Sequence, residues 1–433
     1  MKNNVNGEMI WSKRNYWVKS NKYDGLLFVG NTSSFLQVDK EYVNEIKMKG
    51  FSNLPIELFN ELKKIGAIVE SDEEVFDRYQ FLSMKNNNNI SMDFWICISD
   101  GCNFNCEYCF EGNKKKNNFI SDVTIDNIMK YIVKNKELKI LTVSFAGGEP
   151  LLSVDKVLVL YQKLNALGIA LQLNLITNGY LLSKDVIQKL DTIKNLQYQV
   201  TIDGMKDMHN RKRPHKTNAD SFSVIINNLD SFYETHKDKT INFQIRINVD
   251  KENYCDVAKL YNFLHHRYGN FFGFYLKPVD NYEKKSEKCF TPKEFSDLLV
   301  SLYDQNKIYI GNLFPKFRFP GGYCSSNRLC SYVIAANGDV YKCPVDIGEQ
   351  DKVITNINKK GYYNYKPEED YMIKASPYYD KSCKECSLFF QCYGGCPHMR
   401  LTNQKVCIPA KYNMDRILEI YYENIILQNN KTY

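Results

Sequence analysis

The stretch FWICISDGCNFNCEYCF, residues 94–110, joins an apolar run to a loop that contains Cys102, Cys106 and Cys109. The run 94–98 is rich in aromatic and β-branched side chains, which is typical of a strand buried on both faces. The loop has the spacing C-x3-C-x2-C and holds no fourth cysteine. Structural zinc requires four ligands, whereas a [4Fe–4S] cube held by three cysteines leaves one iron open to another ligand. The stretch therefore indicates a strand that leads directly into a cluster-binding loop.

Five further apolar runs follow, and helical patterns separate them. The runs lie at 140–145, 171–176, 198–201, 243–249 and 274–277. The helical patterns lie near 122–134, 154–166, 183–190, 221–234 and 255–267. Six β/α units in sequence predict an α/β fold with a parallel sheet and outer helices, either a partial barrel or a doubly wound sheet.

Four of the loops that follow these strands carry short motifs. Besides the cysteine loop, they read GGEP at 147–150, TNG at 177–179 and IDG at 202–204. The carboxyl ends of parallel strands lie at one edge of a sheet, where such folds bind their ligands. The four loops are therefore predicted to converge on one site.

The composition of the 433 residues is that of a globular protein, with 44% hydrophobic and 14% aromatic residues and a net charge of +7. This charge is mild for the length, and the basic runs are short, which disfavours a nucleic-acid partner. The sequence contains no signal-peptide core and no apolar run of membrane-spanning length, so we expect a cytoplasmic protein without a membrane partner. In a reducing cytosol, clustered cysteines are more often metal ligands or catalysts than disulfides.

Three domains are predicted along the chain, at 1–88, 89–315 and 316–433. In the first, the segment GLLFVGNTSSFLQVD at 25–39 predicts a hairpin, and helices are expected at 41–49 and 55–65. The polar segment MKNNNNIS at 84–91 is typical of a linker and makes this domain separable. The last domain is rich in Cys, Gly and Tyr, and only 408–428 has a helical pattern.

The last domain also contains a second cysteine zone. On spacing alone, its eight thiols fill two tetrads, which two structural zinc ions would fit. The isolated Cys97, Cys255 and Cys289 are interpreted as ordinary thiols. The zone consists of Cys324, Cys330, Cys343, Cys383, Cys386, Cys392, Cys396 and Cys407.

The C-x3-C-x2-C triplet after the first strand and GGEP after the second resemble the radical S-adenosylmethionine (SAM) enzymes. The resemblance implies a [4Fe–4S] cluster on Cys102, Cys106 and Cys109 whose open iron is chelated by the amino and carboxylate groups of SAM. Cleavage of SAM would then give a 5′-deoxyadenosyl radical that abstracts hydrogen from a substrate. The residues implied to contact SAM are Tyr108 at the adenine, Gly147, Gly148 and Glu149 at the ammonium group, Asn178 at the ribose, and Thr201 and Arg213 at the carboxylate.

The second zone, with Gly338 five residues before Cys343, resembles the SPASM extension of radical SAM peptide-modifying enzymes. That extension carries two auxiliary [4Fe–4S] clusters, which brings the expected total to three. The resemblance implies that fully ligated auxiliary clusters transfer electrons. It assigns Cys324, Cys330, Cys343 and Cys396 to the first cluster, and Cys383, Cys386, Cys392 and Cys407 to the second.

Residues 1–88 resemble the winged-helix element that binds leader peptides in ribosomal-peptide maturases. An extended leader is expected to add as a strand at 26–29 or 35–38. The expected partners are therefore a precursor peptide with its leader and a reducing electron donor such as flavodoxin or ferredoxin.

These resemblances leave several functions open. The first is a peptide maturase that joins a cysteine sulfur to a carbon, or one carbon to another. The second is an anaerobic sulfatase maturase that makes formylglycine, but those enzymes carry an Asp base where this chain has Pro344, and the nearest acid is Asp346. The third, from a different class, is a zinc-stapled nucleic-acid-binding protein, which would be colourless.

Overall fold

The structure is a computed structural model that describes residues 9–112, 118–280, 287–310 and 324–429. Its strands are β1 (Ile10–Trp11), β2 (Asn15–Trp17), β3 (Leu26–Val29), β4 (Ser34–Gln37), β5 (Ile68–Val69), β6 (Ser91–Ser99), β7 (Ile140–Gly147), β8 (Ala170–Thr177), β9 (Leu196–Thr201), β10 (Phe243–Val249), β11 (Gly273–Pro278), β12 (Ser331–Ile334), β13 (Asp339–Tyr341) and β14 (Thr355–Asn356). Its helices are α1 (Lys40–Lys49), α2 (Ile56–Lys64), α3 (Asp72–Asn86), α4 (Asp122–Lys134), α5 (Val154–Asn165), α6 (Lys184–Leu190), α7 (Lys206–Lys212), α8 (Ser221–His236), α9 (Val257–Tyr268), α10 (Pro292–Asn306), α11 (Lys366–Glu369), α12 (Lys381–Lys384), α13 (Phe389–Cys392), α14 (Pro397–Leu401) and α15 (Met414–Asn429).

The chain folds into two compact units, and the first of them contains the predicted sheet. This barrel unit comprises Asn88–Phe290 and Arg328–Lys374. Its strands follow the order β11-β10-β9-β8-β7-β6-β12-β13-β14, and β6 to β11 are parallel neighbours. The prediction of six β/α units is confirmed, because all five predicted helices lie between these strands.

Alternating apolar side chains explain why these segments form buried strands and helices. Phe94 and Ile96 of β6 are fully buried, as are Leu141 and Val143 of β7. Helix α4 begins at Ser121, whose hydroxyl accepts from the Thr124 N–H, and its buried residues recur with helical spacing. Local sequence therefore places the loops after β6, β7, β8 and β9 at one edge of the sheet.

The sheet also contains strands from the segment that the sequence assigned to the last domain. Strand β12 pairs in parallel with β6, and β13 and β14 continue the sheet as antiparallel strands. These strands are two to four residues long, too short for a clear alternating pattern. The compact units therefore differ from the predicted division at 89–315 and 316–433, and the boundary at 315/316 lies outside the described residues.

The second unit comprises Met1–Asn87, Thr291–Asn327 and Ala375–Tyr433. Its antiparallel sheet has the order β2-β3-β4, which confirms the hairpin predicted at 25–39. The two faces of β3 lie in different cores. Leu27 and Val29 belong to a core with residues of α1 and α2, whereas Leu26 and Phe28 belong to one with residues of α15. The N-terminal sheet thus shares its core with the C-terminal helix.

Helix α3 was not predicted, and it overlaps the start of the segment that we interpreted as a linker. The Ser71 hydroxyl accepts from the N–H groups of Glu73 and Glu74 and begins the helix. Phe76 and Tyr79 of α3 are buried in a cluster of C-terminal side chains. Its other members are Tyr378, Cys383, Phe389, Phe390 and Tyr393. Residues 1–88 therefore have only one core of their own, the one with α1 and α2, and their other apolar side chains are covered by residues beyond 375.

Candidate active site

The loop between β6 and α4 carries the cysteine triplet and is held in place by backbone contacts. The Phe104 N–H donates to Cys102 Sγ at 3.4 Å, and Asn178 Nδ2 lies 3.9 Å from the same sulfur. The Cys109 N–H donates to the Cys106 carbonyl at 3.2 Å, which folds the end of the loop into a turn. Phe104 also forms a β-bridge with His215. These donors favour a thiolate at Cys102, the form that binds iron.

Gly147 and Gly148 of the GGEP motif are required by a close approach of two backbones. Gly147 has a φ of +115°, and a Cβ there would lie 2.3 Å from the Ser99 carbonyl oxygen. A Cβ on Gly148 would lie 2.2 Å from the Gly101 carbonyl oxygen. The Gly148 N–H donates to Ser99 O at 2.8 Å. The glycines thus let this loop lie directly against the cysteine loop, and their predicted contact with the ammonium group of SAM stays a prediction.

Glu149 is fully buried, and its carboxylate binds groups of the chain itself. It accepts from the Thr177 hydroxyl at 2.7 Å, the Asn178 N–H at 2.8 Å and the Leu151 N–H at 3.0 Å. Burial raises the pKa of Glu149, and these three hydrogen bonds oppose the increase. The carboxylate therefore fastens the loop after β7 to the end of β8, and its contact with the SAM ammonium stays a prediction.

Tyr108 is held through its hydroxyl by groups at the ends of β9 and β10. The hydroxyl donates to Asp203 Oδ2 and accepts from Arg213 Nη1 at 2.6 Å and Asn248 Nδ2 at 3.0 Å. Asp203 Oδ1 accepts from the Asn248 N–H at 2.8 Å. The sequence marked the IDG loop but did not identify Asp203 or Asn248 as site residues. Since Asp203 follows β9 and Asn248 is the penultimate residue of β10, position at the strand end was the available signal.

The site has a fixed positive charge and spare hydrogen-bond donors. Burial alone would lower the pKa of Arg213, but Cys106, Tyr108 and Asp203 together raise it, so the guanidinium stays charged. Arg213 Nε and Asn103 Nδ2 are buried and have no hydrogen-bond partner in the described part of the chain. Unpartnered buried donors are costly unless a ligand satisfies them. The site therefore fits a ligand with a carboxylate, as SAM has.

Two further predicted SAM contacts lie at the same edge of the sheet. Asn178 is buried after β8, and its Nδ2 donates to Asn103 Oδ1 at 2.8 Å. Thr201 is the last residue of β9 and is buried. The structure thus brings both residues to the predicted edge, while the proposed contacts with adenine, ribose and carboxylate stay predictions.

A second cysteine site lies within the second unit. A small cavity, which we call the C-terminal cysteine cavity, is lined by four thiols. Burial raises the pKa of one of them, Cys392, to about 11. Four thiols that line one cavity fit a fully ligated iron–sulfur cluster. The four are Cys383, Cys386, Cys392 and Cys407, the predicted second auxiliary set.

The other predicted set, Cys324, Cys330, Cys343 and Cys396, stays a prediction. Among the described residues, no three His, Cys, Asp or Glu side chains are placed to hold a single metal ion. An iron–sulfur cube binds each thiolate to a different iron, so its ligands do not converge on one atom.

In the described part of the chain, no helix has the length and hydropathy needed to cross a membrane.

Glu149→Gln tests whether this carboxylate is mainly a positioning group. The amide would present an NH2 group toward donors that now bind a carboxylate oxygen, so we expect the free energy of unfolding to fall by about 1–3 kcal/mol. The free energy of SAM binding should change by less than the free energy of unfolding does. Denaturant unfolding and SAM titration measure the two effects, with the exposed Glu137→Gln as the control. Unchanged stability with a large loss of SAM affinity would instead place the carboxylate on the ligand.

Comparison with known proteins agrees with this geometry. The profile of the Radical SAM superfamily matches residues 96–264. The cysteine-type anaerobic sulfatase-maturating enzyme of Clostridium perfringens is 24% identical over 351 residues, which cover 75% of this chain and 93% of that protein.

Two solved structures share the fold. Native anSMEcpe with bound AdoMet and Kp18Cys peptide has a TM-score of 0.62 and 22% identity, covering 79% of this chain and 99% of that chain. Streptococcus suis SuiB bound to precursor peptide SuiA has a TM-score of 0.53 and 15% identity, covering 90% of this chain and 95% of that chain.

Together with the strands, the cysteine loop and the cysteine-rich C-terminal segment, these matches establish the enzyme class. Its cofactors are SAM and three [4Fe–4S] clusters, and the thiols and spare donors described above fit them. The chain therefore contains a radical SAM domain at residues 96–264 and is homologous to the anaerobic sulfatase-maturating enzymes over 75% of its length.

Proposed function

We propose that this enzyme modifies a ribosomally made precursor peptide, and that it joins a cysteine sulfur to a carbon of another residue. The observation that carries the proposal is the antiparallel sheet β2-β3-β4, which the barrel chemistry does not need. The match to SuiB covers 90% of this chain and the match to anSMEcpe covers 79%, which supports a fold beyond that of a sulfatase maturase.

The residues of the barrel unit would hold and orient the reactants. Cys102, Cys106 and Cys109 would bind the cluster, and the Phe104 N–H would stabilise the first thiolate. Arg213 would bind the carboxylate of SAM through a guanidinium that stays charged. When bound, the cluster and SAM supply a 5′-deoxyadenosyl radical that abstracts a hydrogen atom. The chain itself contributes orientation and charge.

Forming a thioether from a C–H and an S–H group removes two hydrogens from the peptide. One would leave as a hydrogen atom, and the other would leave as a proton and an electron. The electron requires an acceptor. The four thiols of the C-terminal cysteine cavity are suited to hold one, because a cluster with four protein ligands exchanges electrons without binding substrate.

Strand β4 is the proposed binding edge for the leader. Among the described residues, β4 pairs only with β3. Strand β3, which contains residues 26–29, is the central strand and is fully buried. The predicted alternative of a leader pairing at 26–29 was therefore wrong. The Val38 N–H donates to the Gly25 carbonyl at 2.9 Å. Along an antiparallel strand, successive N–H groups point alternately toward the neighbouring strand and away from it. Since the Val38 N–H points toward β3, the N–H groups of Phe35 and Gln37 point away from β3. A leader strand would pair there.

Formylglycine formation is the second candidate, since the homologues noted above are sulfatase-maturating enzymes. The residue after Cys343 is Pro344, and the nearest acid, Asp346, is buried. The hydroxyl of Tyr371 bonds to both Asp346 and Cys343, and these contacts add to burial in raising the pKa of Tyr371. Asp346 is thus buried and hydrogen-bonded to Tyr371, which disfavours its carboxyl as the base of that reaction.

Cys383→Ala or Cys386→Ala should separate SAM cleavage from peptide modification. Each change removes a thiol from the C-terminal cysteine cavity but leaves the barrel site intact. We expect continued formation of 5′-deoxyadenosine with little modified peptide, because the electron has no acceptor. Chromatography of 5′-deoxyadenosine and the peptide mass, which falls by two hydrogens per thioether, measure both.

The substrate for this experiment is a cysteine-containing precursor encoded beside the gene, and the exposed Cys255→Ala is the matched control. Full peptide modification by a variant shown to lack about four irons would remove the proposed role of this site. A hydrated aldehyde at a cysteine or serine, in place of a thioether, would support formylglycine chemistry instead.

A further inference from the structure

Three basic side chains surround the thiols of the C-terminal cysteine cavity. Arg400 Nη1 lies 3.7 Å from the sulfur of Cys383, and Lys405 hydrogen-bonds the same thiol. Lys411 Nζ lies 3.8 Å from the sulfur of Cys407. Lys405 and Lys411 also line the cavity. We call Arg400, Lys405 and Lys411 the basic rim.

The positive charge of the basic rim is only partly balanced by a carboxylate. Asp380 Oδ2 lies 3.3 Å from Arg400 Nη1 and 2.8 Å from Lys405 Nζ, so one carboxylate serves two cations. Lys411 interacts favourably with the thiols of Cys407 and Cys386 and unfavourably with the like charge of Lys405. The rim therefore brings a net positive charge to the sulfurs.

The rim is also held in position. Arg400 Nε donates to the Ala375 carbonyl at 2.9 Å, and its side chain is 11% exposed. Lys405 is 34% exposed and also donates to the hydroxyl of Ser382. A fixed charge near a buried group acts through a lower dielectric than a mobile surface charge does. These cations therefore act on the group that the thiols hold.

We propose that Arg400, Lys405 and Lys411 raise the reduction potential of the cluster held by Cys383, Cys386, Cys392 and Cys407 and so make it the electron acceptor. This inference rests on the proposed function. A [4Fe–4S]²⁺ core with four thiolates has a net charge of −2, and one added electron gives −3. Nearby cations stabilise the more negative state more strongly. The electron comes from the peptide, which also releases a proton as the carbon–sulfur bond forms.

The test is the midpoint potential of this cluster in the full-length, cluster-loaded enzyme. The double variant Lys405→Gln/Lys411→Gln should lower the equilibrium constant for one-electron reduction about tenfold, which is a shift of about 59 mV to more negative potential. Potentiometric titration followed by electron paramagnetic resonance measures it. The signal is assigned by its loss in Cys383→Ala.

Two matched variants separate charge from structure. Lys405→Arg/Lys411→Arg keeps the charge and should keep the wild-type potential. Lys359→Gln/Lys360→Gln removes two exposed charges in the barrel unit and should leave the potential unchanged. If Lys405→Gln/Lys411→Gln keeps its full iron content and its midpoint potential is unchanged, the inference is overturned. A slower reaction of this variant with an acidic electron donor would not support the inference.

Iron content distinguishes the failure of this inference from the failure of the proposed function. If a variant with Cys383, Cys386, Cys392 and Cys407 all replaced by alanine contains as much iron as the wild type, the four thiols hold no cluster, and both the proposed acceptor and the role of the basic rim fall. If Cys383→Ala loses about four irons and the lysine variants keep the wild-type potential, only the role of the basic rim falls.

Discussion

Replacing Cys102, Cys106 and Cys109 together by alanine is expected to abolish reductive cleavage of SAM. The three thiols lie on one loop between β6 and α4, and the other two cysteine sets lie elsewhere in the chain. Three four-iron clusters correspond to about twelve irons per chain, so the triple variant should retain about eight. Anaerobic reconstitution, iron analysis and chromatography of 5′-deoxyadenosine measure these quantities.

The control is Cys255→Ala, an exposed cysteine of the barrel unit that should keep about twelve irons and full SAM cleavage. Formation of 5′-deoxyadenosine by the triple variant would contradict the assignment of the active site. A colourless protein that binds zinc and no iron would contradict the assignment of all three clusters and favour the zinc-stapled alternative.

Deleting residues 1–87 is expected to destroy the second unit, although the sequence alone predicted a separable domain. The deletion removes Leu26 and Phe28, which share a core with Ile417 and Leu418 of α15. It also removes the aromatic residues of α3 that cover the segment 383–393. Burial of each large apolar side chain contributes about 1.5–3 kcal/mol, so the loss of four is comparable to the whole stability of a domain, about 5–15 kcal/mol.

Polar contacts between the same segments would be lost as well. Arg14 is fully buried, and its Nη2 donates to the Lys384 carbonyl at 3.0 Å. Gln391 Nε2 donates to the Gly30 carbonyl at 2.7 Å, directly beside Cys392 in sequence. The truncated protein should therefore lose the cluster of the C-terminal cysteine cavity, about four irons, and aggregate. Iron analysis and size-exclusion chromatography measure both effects.

The matched variant is Gln37→Pro, which removes one outward N–H of β4 and leaves the cores intact. It should keep its iron and cleave SAM, but it should bind a leader peptide more weakly and modify the full-length precursor more slowly. A soluble truncated protein that keeps about twelve irons would show that the N-terminal segment is separable after all. Unchanged leader affinity in Gln37→Pro would exclude β4 as the binding edge.

The barrel and the active-site loop could be predicted because their signals are local. Each of the six strands is a short apolar run, and each intervening helix repeats apolar residues with helical spacing. The cysteine triplet and GGEP follow their strands directly, so the parallel topology alone brings them to one edge. Because these patterns depend on neighbouring residues, the predicted helix at 122–134 matches α4 residue for residue.

The partners within the site could not be predicted, because packing decides which strand ends meet. Asp203 and Asn248 bind the hydroxyl of Tyr108 across 95 and 140 residues of sequence. Nothing in the local sequence of either residue differs from that of an ordinary polar residue at the end of a strand. The buried role of Glu149 likewise follows from the N–H groups at the end of β8, which only the folded sheet places beside it.

The sequence by itself determined the parallel sheet and the cysteine loop, since local periodicity and spacing encode them. Only the tertiary structure decided that the N-terminal segment belongs with the C-terminal cysteines. Arg14 reaches the Lys384 carbonyl across 370 residues, and helix α3 completes an aromatic cluster around Phe389. Burial of apolar surface is not directional, so a helix pattern shows which face is apolar but not which distant segment covers it.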